Sequence, residues 1–132
     1  EAEMIEKKHR IEDALEAVKA AQMDGIVAGG GVALLRALPK KNSDPLEEIV
    51  YEAVKEPIRQ MARNAGESPD LILDRVMRAK GNRGYNFATG EMCDLFEAGV
   101  IDPVRVTKTA LQMATSAAGT LLTTGYAIIE KE

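Results

Sequence analysis

Three glycines in a row, Gly29 to Gly31 within VAGGGVALLRA (Val27 to Ala37), stand between two runs that read as helix. Glycine loses more backbone freedom on folding than any other residue, so a triplet marks a place that needs bare backbone. A helix starting after such a run offers free N–H groups and the positive end of its dipole, which together suit a phosphate. The spacing fits neither the Walker A loop nor the dinucleotide fingerprint. The run also follows a helical pattern and not a strand. On spacing alone the triplet reads as a tight helix-to-helix corner with close packing, and the anion cradle is the minority reading.

Other chemistry-bearing residues are sparse. Asp13 lies beside Glu12 on the polar side of the first helix, where an aspartate is ordinarily a solvated charge. Asp102 precedes Pro103 and reads as an N-cap. Asn86 sits in the turn-rich segment KGNRGYN, where asparagine serves turns. His9, the single histidine, is among charges, and no His–Cys or His–His spacing suits zinc. Cys93 has no neighbouring base and reads as a small core residue, not a nucleophile. No Ser–His–Asp set assembles, and no metal ligand is assigned.

The elements that must hold these residues read mostly as helix. The 132 residues fit one ordinary domain, 45% hydrophobic and 29% charged, with only two Phe, three Tyr and no Trp. The core must then be aliphatic, as in packed helices. A net charge of −4 argues against a partner held by nucleic-acid phosphates. One cysteine excludes an internal disulfide, and the charged opening EAEMIEKKHR is not a secretory signal. The apolar stretch Ala110 to Leu122 is too short and too polar to span a bilayer. No nucleic acid and no membrane are therefore expected as partners.

Met4, Ile11, Leu15 and Val18 mark one stripe of a helix from about Glu3 to Asp24, with Gly25 as a left-handed cap. A second helix begins at Val32 and ends by Pro39. PKKNSDP (Pro39 to Pro45) is a polar loop. A third helix spans roughly Leu46 to Ala65, with Pro57 inside it to kink or split it. Ser68 and Pro69 start a fourth helix as N-cap and first helical residue. Tyr85 to Ala88 and Met92 to Leu95 form a small hairpin around Thr89-Gly90. A helix from Pro103 to about Thr124 has a small-residue face (Ala110, Ala114, Ala117, Ala118, Gly119) and reads as the central helix. Tyr126 to Ile129 reads as a short C-terminal strand. The first helical pattern begins without a cap, which points to a piece of a longer chain.

Three stretches, RIEDALEAVKAAQMDGIVAGGGVALLRA (Arg10 to Ala37), GNRGYNFATGE (Gly81 to Glu91) and AGVIDPVRVTKTALQMATSAAGTLLTT (Ala98 to Thr124), resemble the group I (GroEL-type) chaperonins in order and spacing. EPIRQMARNAGESP (Glu56 to Pro69) fits between them as the family's next helix and turn. The resemblance covers nearly the whole chain, and GGGVAL favours group I over the archaeal and eukaryotic cytosolic type. It implies an all-α, mostly helical fold like the chaperonin equatorial domain, with a hairpin near 84–95 and a short C-terminal strand. It implies that residues 1–26 are the C-terminal segment of the intermediate domain and 27–132 the C-terminal half of the equatorial ATP-binding domain. No counterpart of the apical domain or of the family's phosphate loop is found.

The same resemblance implies site residues. Asp13 matches the aspartate that helps position water for ATP hydrolysis. Gly30 matches the glycine whose backbone contacts the ribose, and Asn86, Phe87 and Ala88 match the segment lining the adenine. Asp102 matches the aspartate that binds the ribose hydroxyls. The family commonly has alanine where this chain has Phe87, whose ring can stack on a base or point into the core. The loop Pro39 to Pro45 is shorter than usual. ATP or ADP is the implied ligand, with Mg²⁺ and K⁺ held mainly by parts of the family outside this chain. The implied partners are other subunits of a homo-oligomeric double ring, a co-chaperonin lid and unfolded client proteins. The implied location is the bacterial cytoplasm or an organelle matrix. The rival expectations are a stand-alone nucleotide-binding module and a helical interaction module. The missing half of the equatorial domain predicts exposed apolar helix faces.

Overall fold

The computed structural model describes residues 1–38 and 45–128. In order, they form α1 (Ala2–Asp24), β1 (Ile26–Ala28), α2 (Val32–Ala37), α3 (Pro45–Asn64), α4 (Pro69–Arg78), β2 (Arg83–Asn86), β3 (Glu91–Asp94), β4 (Ile101–Pro103) and α5 (Val104–Thr123). The fold is mostly helical, with two small antiparallel sheets, β1–β4 and β2–β3. Two units divide it. One comprises Glu1–Gly25 and the chain from Val104 onward; the other is Ile26–Pro103.

The Ile26–Pro103 unit holds the core. Val54, Ile58 and Ala62 recur every four residues on α3 and are all buried, so one face of that helix is committed inward. Ile72, Leu73 and Val76 of α4 and Val32 and Leu35 of α2 meet it in the same cluster, and Tyr85 and Leu95 close it from the hairpin side. At Gly84 the packing leaves no space for a side chain. A Cβ there would lie 2.6 Å from both Leu95 Cδ1 and Val32 Cγ2.

Local signals account for the helix ends in this unit. At the end of α3 the N–H of Glu67 donates to the Ala62 carbonyl at 2.9 Å and that of Gly66 to Arg63 at 3.1 Å. With Gly66 at φ +74°, this is a Schellman ending. Ser68 and Pro69 start α4 as expected, although the Ser68 hydroxyl makes no cap bond; its backbone carbonyl accepts from Ile72 N–H at 3.1 Å.

Pro57 does not split α3. The helix runs unbroken from Pro45 to Asn64. Pro57 is exposed, flanking the buried stripe. Arg59 pairs with Glu52 and Glu56 at 3.2 and 3.0 Å, and Arg63 pairs with Glu56 at 3.2 Å. Core burial on one face and these ties on the other hold the turns on either side of the proline.

Three further expectations are corrected. A strand, β1, intervenes between α1 and the glycines: Ile26, Val27 and Ala28 pair with Pro103, Asp102 and Ile101. Gly25 has φ +84° but an extended ψ of −169°, so it turns the chain into that strand instead of making a left-handed cap. The pairing also draws Asp102 and Pro103 into β4, so α5 starts at Val104.

The other unit pairs α1 with α5, tied by Arg105 Nε donating to Asp24 Oδ2 at 3.0 Å. Neither helix has a buried residue, so α5 is not the central helix. A small-residue face permits close approach but supplies no neighbour, and two helices cannot enclose each other's stripes. Met4, Ile11, Leu15 and Val18 are 55–74% exposed, and Leu121 and Leu122 are 76% and 87% exposed. The expected apolar helix faces are thus open.

Residues 124–128 carry no regular structure, and Tyr126 and Ile128 are fully exposed. The expected terminal strand does not form there, because no described strand edge pairs with it; Ile129 lies outside the described residues. The loop from Pro39 also falls outside them up to Asp44.

Candidate functional site

The glycine run is a junction of three segments. Gly29 N–H donates to the Val100 carbonyl at 3.0 Å, and a Cβ on Gly29 would sit 3.1 Å from that same oxygen. Gly29 is therefore glycine because backbone meets backbone. Gly30 and Gly31 have φ of +61° and +74°, the left-handed region that glycine enters without strain. The nearest atom to a Cβ on Gly30 would be the Tyr85 carbonyl oxygen at 3.5 Å, an ordinary contact. The demand at Gly30 is conformational and not one of space. The corner turns from β1 into α2, with Val32 N–H closing on the Gly29 carbonyl at 3.1 Å. Among the described residues, no carbonyl accepts from the N–H of Gly30 or Gly31, so two backbone donors remain at the corner.

The hairpin lies against this corner through Tyr85. Its strands pair from Arg83↔Asp94 to Asn86↔Glu91, and Phe87 to Gly90 make the loop. Asn86 builds that loop. Its Oδ1 accepts from Ala88 N–H at 3.0 Å and its carbonyl from Gly90 N–H at 2.8 Å. The turn role expected for asparagine is thus realised. Phe87 is half-buried against the core, its ring edge-on to Tyr85 at 5.0 Å and 74°. Of the two directions open to that ring, it takes the core. Ala88 is exposed at the loop tip.

Asp102 lies opposite Val27 in the β1–β4 pair. Its capping role is not realised, because the extended backbone of β4 places it two residues before α5 begins. It is half-buried, and among the described residues its carboxylate has no ion pair or hydrogen bond. Two acceptor oxygens are thus available for a pair of hydroxyls.

The links Val27–Asp102, Gly29–Val100 and Gly30–Tyr85 bring the glycine corner, the hairpin and β4 together in one unit. Five of the six candidate residues, Gly30, Asn86, Phe87, Ala88 and Asp102, belong to it. Asp13 does not. It is exposed on α1, on an open groove of about 540 Å³ that Glu16, Ala17, Arg105 and Thr109 also line. Among the described residues, no three His, Cys, Asp or Glu side chains cluster to hold a metal ion.

Two residues escaped the sequence reading. Arg36 of α2 donates to the carbonyls of Val76, Gly81 and Arg83 at 2.9, 3.1 and 3.2 Å. Its signal was its place four residues after Val32, on the side of α2 that faces the core. Tyr85, buried, donates its hydroxyl to Glu67 Oε1 at 3.2 Å. Burial, then this hydrogen bond to a carboxylate, raises its pKa.

The family model of the TCP-1/cpn60 chaperonin family matches residues 1–132. The chain belongs to that family, whose members are protein-folding chaperones and generally ATPases that work as oligomers. Among the described residues, no helix is long and apolar enough to cross a membrane.

Proposed function

We propose that the chain is part of a group I chaperonin subunit and supplies the ribose and adenine side of its ATP site. Residues 1–26 would be the returning segment of the intermediate domain and 27–132 the C-terminal half of the equatorial domain. The observation that carries this is the three-way junction at Gly29–Gly30. It draws the corner, the hairpin and β4 into one unit, where the unengaged Asp102 carboxylate and the free corner N–H groups have the chemistry for a nucleoside.

Asp102 accepts from the ribose hydroxyls, and the Gly30 backbone borders the sugar. Asn86 spends its carboxamide oxygen on the turn, so Asn86 to Ala88 meet the base through backbone and the remaining amide N–H groups. Asp13 orients the attacking water in the assembled subunit, as a carboxylate near a triphosphate can. Among the described residues no three His, Cys, Asp or Glu side chains cluster to hold magnesium, and the resemblance places its main ligands in parts of the family outside this chain. The chain alone therefore does not turn over ATP. The parent is an ATP-driven folding machine of stacked rings in the bacterial cytoplasm or an organelle matrix, with a co-chaperonin lid and unfolded clients as partners.

Calorimetric titration of the chain with adenosine and with ATP tests this. Millimolar-range binding of both, lost in Asp102→Ala and Gly30→Val, is expected. Metal-dependent ATP turnover by the chain at the rate of an intact chaperonin contradicts the division of the site.

A second reading rests on the open apolar faces of α1 and α5: the chain is a self-associating module. Light scattering decides it, since a monodisperse monomer with little binding of an apolar dye rules it out.

A further inference from the structure

Arg36 of α2 bonds through its side chain to three other segments of its unit. Its Nη2 donates to the Val76 carbonyl in the last turn of α4 at 2.9 Å and to Arg83 at the root of β2 at 3.2 Å. Its Nε donates to Gly81, in the turn between them, at 3.1 Å. Carbonyls in a helix's last turn lack partners within the helix, so a cation there satisfies an orphan acceptor as well as the dipole. The planar fork of a guanidinium reaches several acceptors at fixed angles, which an ammonium cannot do. Burial lowers the Arg36 pKa, but an arginine keeps its charge in a protein.

The geometry matters because of what lies at each end. Arg36 stands one turn beyond Val32, the residue that follows the glycine corner. Arg83 and Gly81 are the root from which β2 runs to Asn86. The corner and the hairpin otherwise meet through packing at Gly84 and Tyr85. We infer that Arg36 is a positioning residue for the nucleoside site: its fork locks the hairpin that carries Asn86 to Ala88 to the helix that follows Gly30. This rests on the nucleoside-site reading above.

The test is amide hydrogen exchange, with adenosine titration followed by NMR, on the full chain and on Arg36→Met and Arg36→Lys. In Arg36→Met the amides of Ala88 and Gly90 should exchange about tenfold faster, while Ala65 and Glu67 at the end of α3 stay unchanged. Adenosine affinity should fall about tenfold in parallel, and lysine should restore neither fully. Unchanged hairpin exchange overturns the inference. So does an equal acceleration across α3, which would make Arg36 a general support of the fold, and so does full rescue by lysine. A loosened hairpin with unaltered adenosine affinity overturns the positioning role. If the unsubstituted chain binds no adenosine, the site reading fails, and the exchange rates still decide whether the fork locks the hairpin.

Discussion

Gly29 and Val100 meet backbone to backbone: the Gly29 N–H donates to the Val100 carbonyl at 3.0 Å, and a Cβ on Gly29 would lie 3.1 Å from the same oxygen. Neither partner can rotate away, because both atoms belong to the main chain. Gly29→Ala should therefore destabilise the chain by about 1–3 kcal/mol, the range for overpacking. Chemical denaturation measures it, and a neutral substitution would show that β4 can shift.

Gly30 should respond differently, because its demand is the angle and not the space. Gly30→Ala should cost about 1–2 kcal/mol from the left-handed backbone. Gly30→Asn should cost less, since asparagine tolerates that region better than alanine. The order Ala worse than Asn, read from denaturation midpoints, separates strain from crowding.

At Gly84 the obstacle is side chain. A methyl group there would lie 2.6 Å from the fully buried Leu95 and Val32. Gly84→Ala should cost about 1–3 kcal/mol. In a double-mutant cycle with Val32→Ala the losses should be less than additive, by about 0.5 kcal/mol or more. Strict additivity means that the two positions do not compete for space.

Pro57→Ala should raise the thermal midpoint. The substitution restores a helical N–H to an exposed position and removes a ring that conflicts with the Ala53 carbonyl. Part of the gain is offset by a more flexible unfolded chain, leaving about 1–2 kcal/mol. A fall in the midpoint would mean that the proline shapes the α3 contact.

Tyr85 links stability to pH. Burial first, and its hydrogen bond to Glu67 second, raise its pKa, while Arg75 acts weakly the other way. A folded-state pKa above the unfolded one means that the folded chain holds the proton more tightly. The contribution is then fully present below the unfolded value of about 10 and is lost as pH rises through the raised value. Thermal unfolding between neutral and strongly alkaline pH should show this loss in the original chain. Tyr85→Phe should lack that component, and an alkaline loss of equal size in the variant would contradict it.

Much of this architecture is legible locally. Gly66, Ser68 and Pro69 announce the α3–α4 junction within four residues, and Thr89-Gly90 announces the hairpin, because caps and turns are short-range chemistry. Strands β1 and β4 are not legible, since each is three residues long and their pairing joins positions some 75 apart in sequence. That one pairing changed three readings: the chain entering the glycine run, the conformation of Gly25 and the role of Asp102. The small-residue face of α5 showed that close approach is allowed but not by what. Arg36 was hidden because an arginine on a short helix looks like a solvated charge until its three carbonyl partners are in place.

The most direct test of the central claim is where adenosine touches the chain. Backbone amide shifts recorded by NMR during an adenosine titration should move at Gly30, Asn86, Phe87, Ala88 and Asp102 and saturate together. Shifts confined to the α1–α5 groove around Asp13, or none at millimolar adenosine, would contradict the assignment of a nucleoside site to the glycine corner.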